Sequence, residues 1–165
     1  MTRWLSVAVV VLALGVGSSI FAQQDDAHMG TWTQNFEKTK TTPAPTGPRP
    51  QSVTRTYEPF EGKGVTATFV TVTADGKTLT SSYSAHFDGK DYPYTYSGAS
   101  GGNLTHIALK RVDRYTWEAV NKGKGSVTNV GTNTVSKDGK TLTYTFKGTN
   151  AQGQPTSGVM VFEKQ

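Results

Sequence analysis

The sequence predicts an all-β fold, an antiparallel up-and-down (meander) β-barrel of about 8–10 strands. Three observations lead there. Thr outnumbers every other residue and alternates with apolar residues over long stretches, the period of strands with one buried face. The tripeptide Asp-Gly-Lys recurs at Asp75-Gly76-Lys77, Asp88-Gly89-Lys90 and Asp138-Gly139-Lys140, each time between alternating stretches. Gly accepts the positive φ of a tight turn and Asp bonds its own backbone there, so each reads as a hairpin joining sequence neighbours. Beyond the first 22 residues, no long apolar run has helical spacing. Strands in such number close into a barrel or fold into a two-layer sandwich, because an open sheet leaves sticky edges, and consecutive hairpins favour the barrel.

In chain order, residues 1–22 read as a signal peptide. Arg3 supplies the basic start, Leu5–Leu14 the apolar run, and Gly15–Ala22 the mostly small residues before cleavage. Export to the periplasm or the extracellular space follows, with no stable membrane insertion after cleavage. Residues 23–165 then form one β-barrel domain. Strands are expected near 30–36, 51–58, 64–74, 77–86, 90–97, 104–112, 115–121, 125–136, 140–148 and 157–164. Between the first two lies a connector, 41–50, too rich in Pro for helix or central strand. The Gly- and Ser-rich stretch 97–103 reads as a loop, either a portal flap or plain surface.

Composition narrows the function. The chain has 17 Lys and Arg against 12 Asp and Glu, net +5, and Arg3 of the leader is one of the basic residues. The remaining cations are scattered through turns and strands, which argues against nucleic acid as a partner. Cysteine is absent, which excludes disulfides and thiol chemistry in an exported protein. Stability must come from a core and a well-paired sheet, and the chain is expected to be a monomer.

Parity along each strand assigns faces, since a step of one residue swaps them. Val53, Arg55 and Tyr57 share one face, as do Val65, Ala67 and Phe69. Ile107, Leu109 and Arg111 group together, as do Tyr115, Trp117 and Ala119, and Leu142, Tyr144 and Phe146. In the last strand Met160 and Phe162 oppose Val159 and Val161. Tyr92, Tyr94 and Tyr96 alternate around Pro93, which suggests an edge or bulged strand that lines a ligand mouth or is simply aromatic on one side. The candidate ligand-binding residues are therefore Arg55, Tyr57, Phe69, Tyr94, Arg111, Trp117 and Tyr144. Arg55 and Arg111 stand on otherwise apolar faces, where an unpaired charge is costly. Each binds the acid group of an apolar ligand, pairs with an internal acceptor, or snorkels to the rim.

The two ends of the domain resemble the calycin group, the lipocalins and fatty-acid-binding proteins. Met29-Gly30-Thr31-Trp32 resembles the Gly-x-Trp signature of the first strand. Val161-Phe162-Glu163-Lys164 resembles the closing strand of the fatty-acid-binding branch. The resemblance implies that Gly30, Trp32 and Lys164 form a barrel-closure motif, with the Lys over the indole. It also implies an interior that takes a small hydrophobic or amphipathic ligand. The chain departs from the group where its connector replaces the helical lid of fatty-acid-binding proteins.

Catalytic chemistry finds little support. His28, His86 and His106 are the only imidazoles, and none has metal-ligand spacing. His28 is expected to be exposed before the first strand, and His86 and His106 to point to solvent. Gly98-Ala99-Ser100-Gly101-Gly102 lacks the spacing of a nucleophile elbow. The sequence therefore predicts no enzyme, no cofactor and no metal site. The leading reading is an exported barrel that binds a small ligand. The alternative is a structural or interaction module with a filled core.

Overall fold

The computed structural model describes residues 26–97, 104–124, 126–150 and 152–165. The expected signal peptide and most of the loop 97–103 lie outside them. Eleven strands follow one another: β1 (Gly30–Thr42), β2 (Ser52–Phe60), β3 (Gly64–Val72), β4 (Thr78–Ala85), β5 (Asp88–Pro93), β6 (Thr95–Ser97), β7 (His106–Arg111), β8 (Thr116–Gly123), β9 (Ser126–Val135), β10 (Thr141–Thr149) and β11 (Pro155–Lys164). All pair antiparallel in one sheet of order β5-β7-β8-β9-β10-β11-β1-β2-β3-β4-β6. This is the antiparallel meander barrel expected from the sequence, nearly closed.

Closure depends on the stretch expected as a single strand at 90–97. It is broken at Tyr94 into β5, which pairs with β7, and β6, which pairs with β4. One run of chain thus joins both edges of the sheet. The third Asp-Gly-Lys hairpin, Asp88-Gly89-Lys90, is accordingly not a hairpin between paired neighbours. Asp88 already pairs with Lys110, and the ladder is irregular between Asp88 and Asp91. Gly89, at φ +78°, sits in that irregularity. The other two tripeptides do turn the chain, each in the same way. The Gly76 and Gly139 amides donate to the Thr73 and Ser136 carbonyls at 3.0 and 2.9 Å. Thr73 and Ser136 in turn donate their hydroxyls to Asp75 and Asp138.

β1 is longer than expected and takes in the first two residues of the Pro-rich connector. It pairs with β2 only over Gly30–Thr33 but follows β11 to Thr42, with an irregularity between Asn35 and Lys40. Trp32 lies directly opposite Lys164 in this pairing.

The strand faces follow parity. Tyr57, Val65, Ala67, Leu109, Trp117, Leu142 and Phe162 are buried inside the barrel. The largest of them crowd the end where β1 begins and β11 finishes. Burying such side chains contributes roughly 1.5–3 kcal/mol each, the main support of a domain without disulfides.

Residues 26–29 plug that end, against the expectation of an exposed His28. The Trp32 indole Nε1 donates to the His28 carbonyl at 2.8 Å, and the Met29 amide donates to the Asp26 carbonyl at 3.0 Å. These bonds fold the segment under the barrel. The His28 ring is 1% exposed, with ring centroids of Trp117, Tyr57 and Phe87 at 4.6, 5.7 and 5.7 Å. His86 is also not free in solvent: it lies against Phe60 and Tyr92, with Nε2 at 3.7 Å from Glu61. His106 is exposed as expected.

Candidate functional site

Above the packed end the interior opens into a cavity of about 170 Å³. β2, β3 and β4 supply Arg55, Tyr57, Phe69 and Tyr83 to its wall, and Tyr94 comes from the break between β5 and β6. Ile107, Ala119, Asn121, Asn129, Asn133 and Tyr144 line the facing side, and Leu104 stands where the chain enters β7. Two larger hollows, about 410 and 490 Å³, are open grooves at the strands β8–β10 and beside the Pro-rich connector. Glu118 and Lys147 in the first groove are exposed, whereas among the described residues the 170 Å³ cavity holds a buried charge that no ion pair completes.

That charge is Arg55, 9% exposed. Its guanidinium carbon lies over the rings of Phe162, Tyr144 and Phe69 at 4.1, 5.1 and 5.5 Å. Nη2 donates to the Met160 sulfur at 3.9 Å, the guanidinium also lies beside the Tyr57 phenol, and Nε is buried without a partner. None of the ion pairs among the described residues includes it. Aromatic faces attract a cation but leave its N–H groups without acceptors.

The aromatic wall is continuous. Phe69 stacks on Tyr94 at 6.0 Å and 19°, and Tyr83 lies 5.7 Å from Phe69 and 5.5 Å from Tyr94. Burial pushes the phenols of Tyr57, Tyr83 and Tyr94 up, so they remain neutral donors. Tyr144 is pushed up to about 12, again by burial, with Arg55 pulling the other way.

Opposite stands a polar wall. Asn121 Nδ2 donates to Asn129 Oδ1 at 2.7 Å and to the Tyr144 hydroxyl at 3.3 Å, and that hydroxyl donates to Asn129 at 2.9 Å. Asn133, 4% exposed, stays outside this triangle, and its Oδ1 is buried without a partner. Gly131 makes room for the arrangement, since a Cβ there would lie 2.3 Å from the Tyr144 ring.

Five of the seven residues proposed from sequence, Arg55, Tyr57, Phe69, Tyr94 and Tyr144, therefore meet at one cavity. The other two lie at the closed end. Arg111 donates from both Nη1 and Nη2 to the Asp26 carboxylate at 2.9 Å and covers Phe87 at 3.8 Å. Trp117 packs on His28. The closure motif is also at that end. Lys164 Nζ lies 5.2 Å from the Trp32 ring centroid, and Gly30, at φ +112°, would with a Cβ press on Lys164 Cε at 3.2 Å. Tyr83, Leu104 and the three asparagines were not expected there, and Ile107 was grouped on an inward face without being assigned to the site. The same parity could have found the asparagines, because Asn129 and Asn133 share the face of Val135, and Asn121 that of Trp117. No group of three or more His, Asp or Glu that could hold a metal occurs among the described residues.

No family model and no curated protein matches the sequence. Solved structures with a similar fold include a redesigned beta barrel, at 10% identity and a TM-score of 0.47, over 84% of this chain and 92% of that one. EF1p2_mFAP2b bound to DFHBI is similar at 8% identity and a TM-score of 0.44, over 84% and 94%. Lobster apocrustacyanin A1 is similar at 14% identity and a TM-score of 0.43, over 86% of this chain and 63% of its own.

Proposed function

We propose that this protein is an exported binding barrel that takes up a small amphipathic molecule, with the molecule's anionic or electronegative head on Arg55 and its apolar body against Phe69, Tyr83 and Tyr94. The single observation that carries this reading is a guanidinium buried beside an empty space with no carboxylate to meet it. A charge in that position is costly unless something completes it, and a bound acid would do so with charge-assisted hydrogen bonds. Cavity size limits the guest. About 170 Å³ is below the ~300–1,000 Å³ that holds drug-sized ligands and close to the ~150 Å³ that takes a benzene ring. Long-chain acids, retinoids and porphyrins exceed it. The leader-like residues 1–22 support the exported part of the reading.

The alternative, an interaction module with a filled core, is favoured by the packed end around Trp32 and Trp117 but not by the cavity end. Titration calorimetry with single-ring carboxylates separates the two. The expected result is saturable binding at one molecule per chain, lost in Arg55→Met. Absence of saturable binding by every small amphipathic compound, acid or neutral, would leave the module reading in its place.

A further inference from the structure

The cavity holds two unmet hydrogen-bonding groups of opposite kind. Arg55 Nε is a donor without an acceptor, and Asn133 Oδ1 is an acceptor without a donor. They belong to the same small space: Arg55 lies over the Tyr144 ring, and Asn133 is directly paired with Tyr144 between β9 and β10. Nearby polar groups do not relieve Asn133. The Tyr144 hydroxyl gives its proton to Asn129, and Asn121 is engaged with Asn129 and Tyr144. A buried acceptor left unmade costs free energy that a ligand donor recovers on binding.

We infer that the ligand is a hydroxylated single-ring aromatic acid, its carboxylate on Arg55 and its hydroxyl donating to Asn133 Oδ1. This rests on the reading of the cavity as a ligand site and sharpens its ligand class. Each part of the molecule answers a feature of the site. The negative charge completes the guanidinium, in the pairing that suits its planar donors. An aromatic ring suits the stacked Phe69 and Tyr94, where a flexible aliphatic chain gains less and loses more rotamer freedom. The hydroxyl is the part that a plain fatty acid cannot supply, since a carboxylate and a hydrocarbon tail bring acceptors but no donor. Such a site discriminates through its own polar atom: an analogue without the donor leaves Asn133 buried and unpaired.

Calorimetry on the full mature chain tests this with benzoate, the 3- and 4-hydroxybenzoates, their methoxy ethers and hexanoate. At least one hydroxybenzoate is expected to bind about tenfold or more tightly than benzoate and its own methoxy ether, or ~1.4 kcal/mol. Hexanoate is expected to bind most weakly. Asn133→Val should erase the hydroxybenzoate advantage, bringing the hydroxybenzoate and benzoate affinities of the variant within about twofold of each other. If that variant does not fold, the wild-type series decides by itself. Benzoate or a methoxy ether binding as tightly as both hydroxybenzoates overturns the inference and leaves a binding barrel in place, as does hexanoate binding best. No binding by any of the acids overturns this inference, and only the further absence of binding by neutral compounds removes the binding reading as well.

Discussion

Arg111 and Arg55 both face the inside of the barrel, from β7 and β2, and both lie over aromatic rings. Their surroundings differ. At the closed end, Arg111 meets the Asp26 carboxylate through two bonds of 2.9 Å, the cationic Lys164 covers Trp32, and the large side chains leave little space. At the cavity end, Arg55 has rings and a thioether around it and no carboxylate, and Asn133 is left with an open acceptor. One end supplies its charge with a partner from its own chain, while the other leaves its charge for something else to complete. Within one barrel, the first arrangement is a structural closure and the second is the one proposed to bind a ligand.

If that contrast holds, equivalent truncations should differ most in stability at the two ends. Trp32→Ala removes an indole that is fully buried and bonded to the His28 carbonyl, and should cost about 3–5 kcal/mol. Phe69→Ala enlarges a space that is already empty and should cost clearly less. Urea unfolding of the two variants measures the difference. Equal losses would mean that the cavity end is packed as firmly as the closed end and would break the comparison.

A smaller effect comes from protonation at the closed end. His28 is held down to about 3 from an ordinary value near 6.5, chiefly by burial and then by the charges of Arg111 and Lys164. The unfolded chain therefore binds a proton at pH values where the folded chain does not. Stability from this group is fully present above pH 6.5 and is lost as pH falls toward 3, at ~1.4 kcal/mol per unit. Between pH 6.5 and 4.5 the loss should reach about 2–3 kcal/mol. Exposed carboxylates such as Asp75 and Glu163 titrate lower, so the test is the wild-type profile minus that of His28→Leu. A difference profile that is flat between those pH values would mean that the plug opens without cost and that the closed end is not closed.

Much of this contrast was legible in the sequence, and the part that was not has physical reasons. Alternation identified the inward faces, which is why Arg55, Tyr57, Phe69 and Tyr144 were found together. Parity gives the face of a strand but not the height along the barrel axis, so Arg55 and Arg111 looked equivalent. What separates them is Asp26, 85 residues from Arg111 in a segment with no periodicity to read. The burial of His28 was hidden for the same reason, since it arises from Trp32 capturing a backbone carbonyl. Asp88-Gly89-Lys90 carries the same turn chemistry as its two counterparts. Its role as an irregularity in β5 follows from which strands must meet to close the barrel, a global requirement that three residues do not encode.

The effect expected to be smallest has the opposite sign. Arg55→Met keeps the stem and the contact surface while removing a buried charge that has no carboxylate. Replacing buried ionic groups by apolar ones of similar volume is often neutral or stabilising by about 1–4 kcal/mol. Three ring faces already hold the guanidinium, and such contacts are worth ~0.5–2 kcal/mol each, so the net gain should sit near the lower limit, about 1 kcal/mol. Without ligand, Arg55→Met should therefore unfold at a slightly higher urea concentration than the wild type, while the proposed acid binding should be lost. A residue whose removal improves the fold but ends binding is kept for the ligand. If Arg55→Met instead loses 1 kcal/mol or more, the ring contacts outweigh the unpaired charge, Arg55 is a structural element like Arg111, and the two ends of the barrel differ only in how much space they leave.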